Sequence, residues 1–147
     1  MGTPMATHPD YFIYRAKRLH LLISQRIDDV LKCHRLARSQ WQVLFRVWRA
    51  GTLTQKKLQH AMLVESATLT GIVDVLASKG WLEKLESAED KRVRVLRLTE
   101  EGRALMESVP DPYEIVEARM LQGVTESDRT HVEAVLDLMI RNLVDRS

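Results

Sequence analysis

The chain has 147 residues, 45% of them hydrophobic and 29% charged, with a formal net charge of +2. This composition excludes a disordered or membranous chain, and the length suits one domain of ordinary size with a core that needs no disulfide or metal staple. No apolar run approaches the roughly 20 residues of a spanning helix, and residues 1–9 lack the basic cluster and apolar core of a secretory signal. The sequence therefore predicts a soluble, cytoplasmic protein, and its single cysteine, Cys33, suits a reducing compartment. The charge is unevenly spread: residues 1–53 carry nine Lys/Arg against three Asp/Glu, whereas residues 98–147 carry five against eleven. A basic front and an acidic back point weakly to a polyanion partner.

Between Tyr11 and Leu31, Phe12, Ala16, Leu19, Ile23, Ile27 and Val30 recur at spacings of three and four, the mark of a long amphipathic helix. Ser39 is read as the N-cap of a second helix, in which Trp41, Leu44, Phe45 and Trp48 form one stripe before Gly51 stops it. Thr54 caps a short third helix through Leu58 and Ala61. After residues 62–65 a fourth carries Leu69, Ile72, Val73 and Leu76 to its end at Gly80. The period then falls to two: Trp81–Glu86 and Val93–Leu98 flank the polar tip Ser87–Arg92, which predicts a two-stranded ribbon. Thr99 opens a fifth helix that Pro110 and Pro112 must kink or break near Val109–Tyr113. Thr125–Asp128 has the form of a capping box, followed by the stripe Val132, Leu136, Met139 and Leu143. No repeat or linker interrupts the chain, so residues 1–147 are read as one domain.

A helix, a tight connection, a second helix and a ribbon form the winged helix-turn-helix order, here with long helices on both sides. In Ser39–Leu44, Leu53–Gln55, Thr68–Asp74, Lys79–Leu82, Asp90–Arg92 and Leu98–Arg103 the sequence resembles the MarR family of bacterial transcription regulators. The most discriminating piece is Asp90-x-Arg92 with Thr99 seven residues later and then Gly102. Relative to the family pattern, Leu63 stands where Gly is frequent and Val75 where Arg is frequent, and the paired prolines break a helix that is otherwise continuous.

The resemblance implies a mainly α fold with a small β-ribbon, in which a winged helix-turn-helix lobe (38–98) lies between dimerisation helices (10–35 and 100–147). It implies a homodimer that binds a pseudo-palindromic operator in double-stranded DNA and acts as a ligand-responsive repressor. The 68–77 helix would enter the major groove and the wing an adjacent minor groove. Ser66, Thr68 and Thr70 are short polar side chains suited to base edges, and Gly71 permits close approach. Asp90 would orient Arg92 for the narrow groove, with Lys79, Lys91 and Arg94 as accompanying cations. An aromatic or phenolic anion is the expected effector, served by Arg15, Arg18 and His20 and by Trp41, Phe45 and Trp48. The spacing of those three aromatics is nevertheless that of a buried stripe.

Two competing readings are a winged helix that binds another protein, and a redox-sensing regulator built on Cys33 beside Lys32, His34 and Arg35. Zinc is disfavoured because Cys33 and His34 are adjacent and point about 100° apart on a helix. No phosphate loop, nucleophile elbow or metal-ligand cluster is present, so no enzyme, cofactor or metal is expected.

Overall fold

The computed structural model describes residues 11–144, which are mainly helical with one three-stranded antiparallel sheet. The segment on which the signal-peptide reading rests lies outside the described residues. By packing, the chain falls into two compact units, the first reaching Pro112 and the second beginning at Tyr113.

The first unit contains α1 (Phe12–Lys32), α2 (Arg38–Ala50), β1 (Thr52–Thr54), α3 (Gln55–Met62), α4 (Ser66–Ser78), β2 (Leu82–Glu86), β3 (Arg94–Leu98) and α5 (Glu100–Ser108). Its core joins Val43, Leu44 and Val47 of α2 to Leu58 of α3, Leu69, Val73 and Leu76 of α4, and Leu96 of β3, all fully buried. Each such side chain stabilises the unit by roughly 1.5–3 kcal/mol. The expected α4 stripe is thus the buried one, although Ile72 is only half-buried. On α1 only the C-terminal half is packed, through Ser24, Ile27 and Leu31, while Phe12 and Leu19 are exposed.

Two sequence expectations need correction. Helix α2 starts at Arg38 rather than after Ser39, because Ala37 takes the extended N-cap conformation and the Gln40 Oε1 accepts its backbone N–H at 3.1 Å. Alanine has no side-chain acceptor to return that bond, so this is half a capping box. The ribbon has three strands, not two: β1 pairs with β3 in the register Thr52↔Arg97 to Thr54↔Val95, and β3 pairs with β2 from Leu82↔Leu98 to Glu86↔Arg94. β3 is therefore the central strand.

The sheet is anchored to α5 at one junction. The Thr99 hydroxyl donates to the Gly80 carbonyl and accepts from the Gly102 N–H at 3.0 Å, while the Thr99 N–H donates to the Trp81 carbonyl at 3.1 Å. A Cβ at Gly102 would lie 2.0 Å from that Trp81 oxygen, so only glycine lets α5 approach so closely.

The proline break occurs as expected. α5 ends at Ser108, Val109 is extended, and a new helix α6 (Pro112–Met120) begins with Pro112 in its first turn, where the missing N–H costs nothing. In the second unit, Arg129 of α7 (Glu126–Val144) reaches Glu117 of α6 at 2.8 Å and Glu133 at 2.9 Å. The Glu133 hydrogen bond, followed by the Glu117 and Glu133 charges, holds the Arg129 guanidinium still more firmly protonated. Thr125 and Asp128 form the expected capping box, Thr125 Oγ1 accepting from Asp128 N–H at 3.1 Å and Asp128 Oδ2 from Thr125 N–H at 3.4 Å. No described residue of α7 is buried: Val132, Leu136 and Leu143 face outward at 51%, 49% and 85% exposure.

Candidate nucleic-acid interface

α3 and α4 turn through 116° at their three-residue break, within the range of a helix-turn-helix pair. Thr54 begins the pair by accepting from the Lys57 N–H at 3.2 Å. Leu63 makes the turn in the left-handed conformation, φ 54° and ψ 40°, with its side chain almost wholly in solvent. A side chain in that conformation costs about 1 kcal/mol or more.

With Leu69 and Val73 directed into the core, the N-terminal half of α4 leaves Ser66, Thr68, Thr70 and Gly71 exposed. A Cβ at Gly71 would meet nothing within 4 Å, so this face has room for another molecule. The Thr70 hydroxyl donates to the Ser66 carbonyl at 2.9 Å and accepts from the Gln55 Nε2 at 3.0 Å. One turn further along, the Asp74 carboxylate is bound by the Lys84 ammonium from β2, which offsets its negative charge.

The wing tip is held by one carboxylate. Asp90 Oδ1 accepts from the backbone N–H of Arg92 at 3.0 Å and from its Nε at 3.2 Å, and Oδ2 accepts from the guanidinium Nη2 at 3.2 Å. The side-chain hydrogen bonds, and then the backbone one, hold the Asp90 carboxyl below the usual carboxylate range. Arg92 itself is 91% exposed, so the clamp fixes its direction and leaves its remaining N–H groups free for an acceptor. Lys91 is exposed beside it, while Arg94 lies in the stem, paired to Glu86 across the strands at 3.5 Å.

The structure gathers Ser66, Thr68, Thr70 and Gly71 on one half of α4, and Asp90, Lys91 and Arg92 at the wing tip. Lys79 is not brought to either group. It caps the other end of α4, with its Nζ 4.9 Å from the Trp81 ring centroid, and about 20 Å of helix separates it from Ser66.

The expected effector residues divide. Arg15, Arg18 and His20 are exposed on the N-terminal half of α1. Trp41 is a core residue at 3% exposure, stacked on Phe45 at 4.6 Å, and Phe45 meets Trp48 edge-on at 6.4 Å. Of the three aromatics only Trp48 is well exposed. Cys33 is exposed just beyond α1. Sequence reasoning missed Gln55 and the Asp74–Lys84 pair. Gln55 lay within a quoted motif, yet its orientation toward Thr70 follows only from the turn between α3 and α4.

A two-helix turn of this angle followed by a braced wing defines a winged helix-turn-helix protein. The sequence model of the MarR family matches residues 36–93, the span from α2 to the wing tip. The uncharacterized HTH-type transcriptional regulator YdgJ of Bacillus subtilis is 30% identical over 131 residues, covering 89% of this chain and 78% of YdgJ. The HTH-type transcriptional regulator PecS of Dickeya dadantii is 28% identical over 140 residues, 93% and 84% of the two chains. Among solved structures, a cysteine-to-serine mutant of Escherichia coli MarR complexed with operator DNA superposes with a TM-score of 0.70 at 25% identity, over 90% of this chain and 96% of that one. The chain belongs to the MarR family, whose members are transcription regulators.

Proposed function

We propose that the chain is a sequence-specific regulator that binds a pseudo-palindromic operator as a homodimer in the cytoplasm and represses transcription until a small organic anion weakens the complex. The observation that carries this reading is the pairing, within one lobe, of an exposed short-polar face on α4 with an arginine fixed at the wing tip. The first suits base edges in a major groove, the second phosphates and a neighbouring minor groove. Ser66, Thr68, Thr70 and Gly71 are assigned to the major groove, and Asp90, Lys91 and Arg92 to the wing contact. Arg94 supports the stem and Lys79 supplies a peripheral cation.

A second copy of the chain is assigned to the exposed apolar faces of α1 and α7, which a solvated monomer would leave as aggregation liabilities. Two lobes related by a two-fold axis would then meet half-sites about 10 base pairs apart, or a multiple of that spacing. Sedimentation at micromolar concentration should give twice the 17.0 kDa chain mass, and a monomer alone would overturn the assignment. Effector binding is assigned to the Arg15, Arg18 and His20 stretch with Trp48. It must favour one dimer arrangement by about 1–3 kcal/mol to matter. A panel of salicylate and related phenolic acids that left operator affinity unchanged would remove that part.

The test of the DNA reading is affinity for the duplex upstream of the protein's own gene and for random duplex, across a salt series. Arg92→Ala should weaken both and lower the salt slope by about one per subunit. Unchanged affinity would reduce the wing to a charged turn and favour a protein partner.

A further inference from the structure

We propose that Gln55 is a specificity-determining positioning residue, which holds the Thr70 hydroxyl, left acceptor-only by its bond to the Ser66 carbonyl, in one rotamer and so commits α4 to a base that presents an amino group at that point of the groove. The proposal rests on the DNA reading above and deepens it.

Thr70 Oγ1 has one hydrogen and two lone pairs. Its hydrogen is committed to the Ser66 carbonyl at 2.9 Å, and one lone pair accepts from Gln55 Nε2 at 3.0 Å. What remains toward solvent is a single lone pair, and Thr70 is exposed. A base edge facing it must therefore donate. In the major groove only adenine N6 and cytosine N4 do so, whereas guanine and thymine offer acceptors.

Gln55 also decides where the oxygen lies. Threonine in a helix divides between two χ1 rotamers, because either can bond a carbonyl of the preceding turn. The Gln55 bond selects one of them, so oxygen and methyl cannot exchange places. The amide orientation follows as well: with the Thr70 hydrogen spent on Ser66, only the NH2 side of Gln55 can face it. Gln55 is the first residue of α3 and half-buried, so the helix start holds it in place.

The test is selection from a library of randomised duplexes by the full-length chain, comparing wild type with Gln55→Ala, Gln55→Met, Thr70→Val and the double variant Gln55→Ala/Thr70→Val. Thermal unfolding serves as the check on folding. Wild type should enrich adenine or cytosine at one position of each half-site. All three single variants should flatten that same position by about two- to tenfold, the span of one neutral hydrogen bond. The double variant should be no flatter than Thr70→Val, and the salt slope should not move, since no charge changes. Gln55 variants with wild-type preferences, a Met variant that keeps the preference, or flattening at different positions would each overturn the proposal while leaving the DNA reading intact. A wild-type chain that enriches no sequence would overturn both.

Discussion

Gly102 and Gly71 belong to the same compact unit and have opposite surroundings. Around Gly102 the Trp81 backbone fills the space a methyl would need, whereas at Gly71 no atom lies within 4 Å. The first glycine exists because the chain must touch itself. The second sits in a helix, where glycine is intrinsically unfavourable, facing empty space. The contrast teaches that an absent side chain has two distinct physical readings, and only the surroundings tell scaffold from surface.

The largest effect should come from breaking the closed side. Gly102→Ala must push α5 off the Trp81 carbonyl and disturb the Thr99 bonds, and an overpacking loss of about 3 kcal/mol is expected in urea unfolding. A loss under about 0.5 kcal/mol would mean that the junction relaxes freely. Gly71→Ala should do the reverse, stabilising the free protein by up to about 1 kcal/mol through helix propensity. Its affinity for operator should fall nonetheless, because the added methyl occupies the approach surface. Retained affinity together with raised stability would show that no ligand comes close there.

At Leu63 a side chain occupies a left-handed turn position, φ 54°, that glycine would fill without strain; Leu63→Gly removes that side chain. Relief of the left-handed strain should raise stability by somewhat less than 1 kcal/mol, the gain being offset by the entropy of glycine in the unfolded chain. The melting temperature reports it.

The smallest effect concerns pH. Asp90 is held below the usual carboxylate range when folded, so its clamp is complete above that range and is lost as pH falls through the lowered value. Asp90→Asn should imitate the protonated form. With the Arg92 charge no longer balanced, affinity for random duplex should rise slightly while operator preference narrows. A variant unchanged in both would leave the clamp without a role in binding.

Much of this lobe was legible because period and core coincide. The Leu69, Val73 and Leu76 stripe, the Thr54 and Thr99 caps and the proline break are local features, and local chemistry decided them. β1 was not legible: Thr52–Thr54 is three residues long, too short to display a period, and exists only because β3 is there to pair with it. The α2 start escaped because a glutamine three residues inside satisfied a residue with no capping side chain. For α1 and α7 the sequence located an apolar face but not its cover, since periodicity records which residues avoid water and not what replaces it. The Gln55–Thr70 bond spans 15 residues and depends on a turn whose angle no local pattern encodes.

The central position of β3 has a mechanical consequence. One edge of this strand binds β1, the lead-in to α3, and the other binds β2 of the wing. Moving either strand relative to β3 breaks ladder hydrogen bonds, which ties the base of the wing to the start of α3. On the proposed DNA contact, an overwound or underwound duplex would shift the neighbouring minor groove relative to the major groove assigned to α4. Such a duplex is expected to bind more weakly even when every base is correct, a loss that comparison of operators carrying the same half-sites at altered twist would reveal.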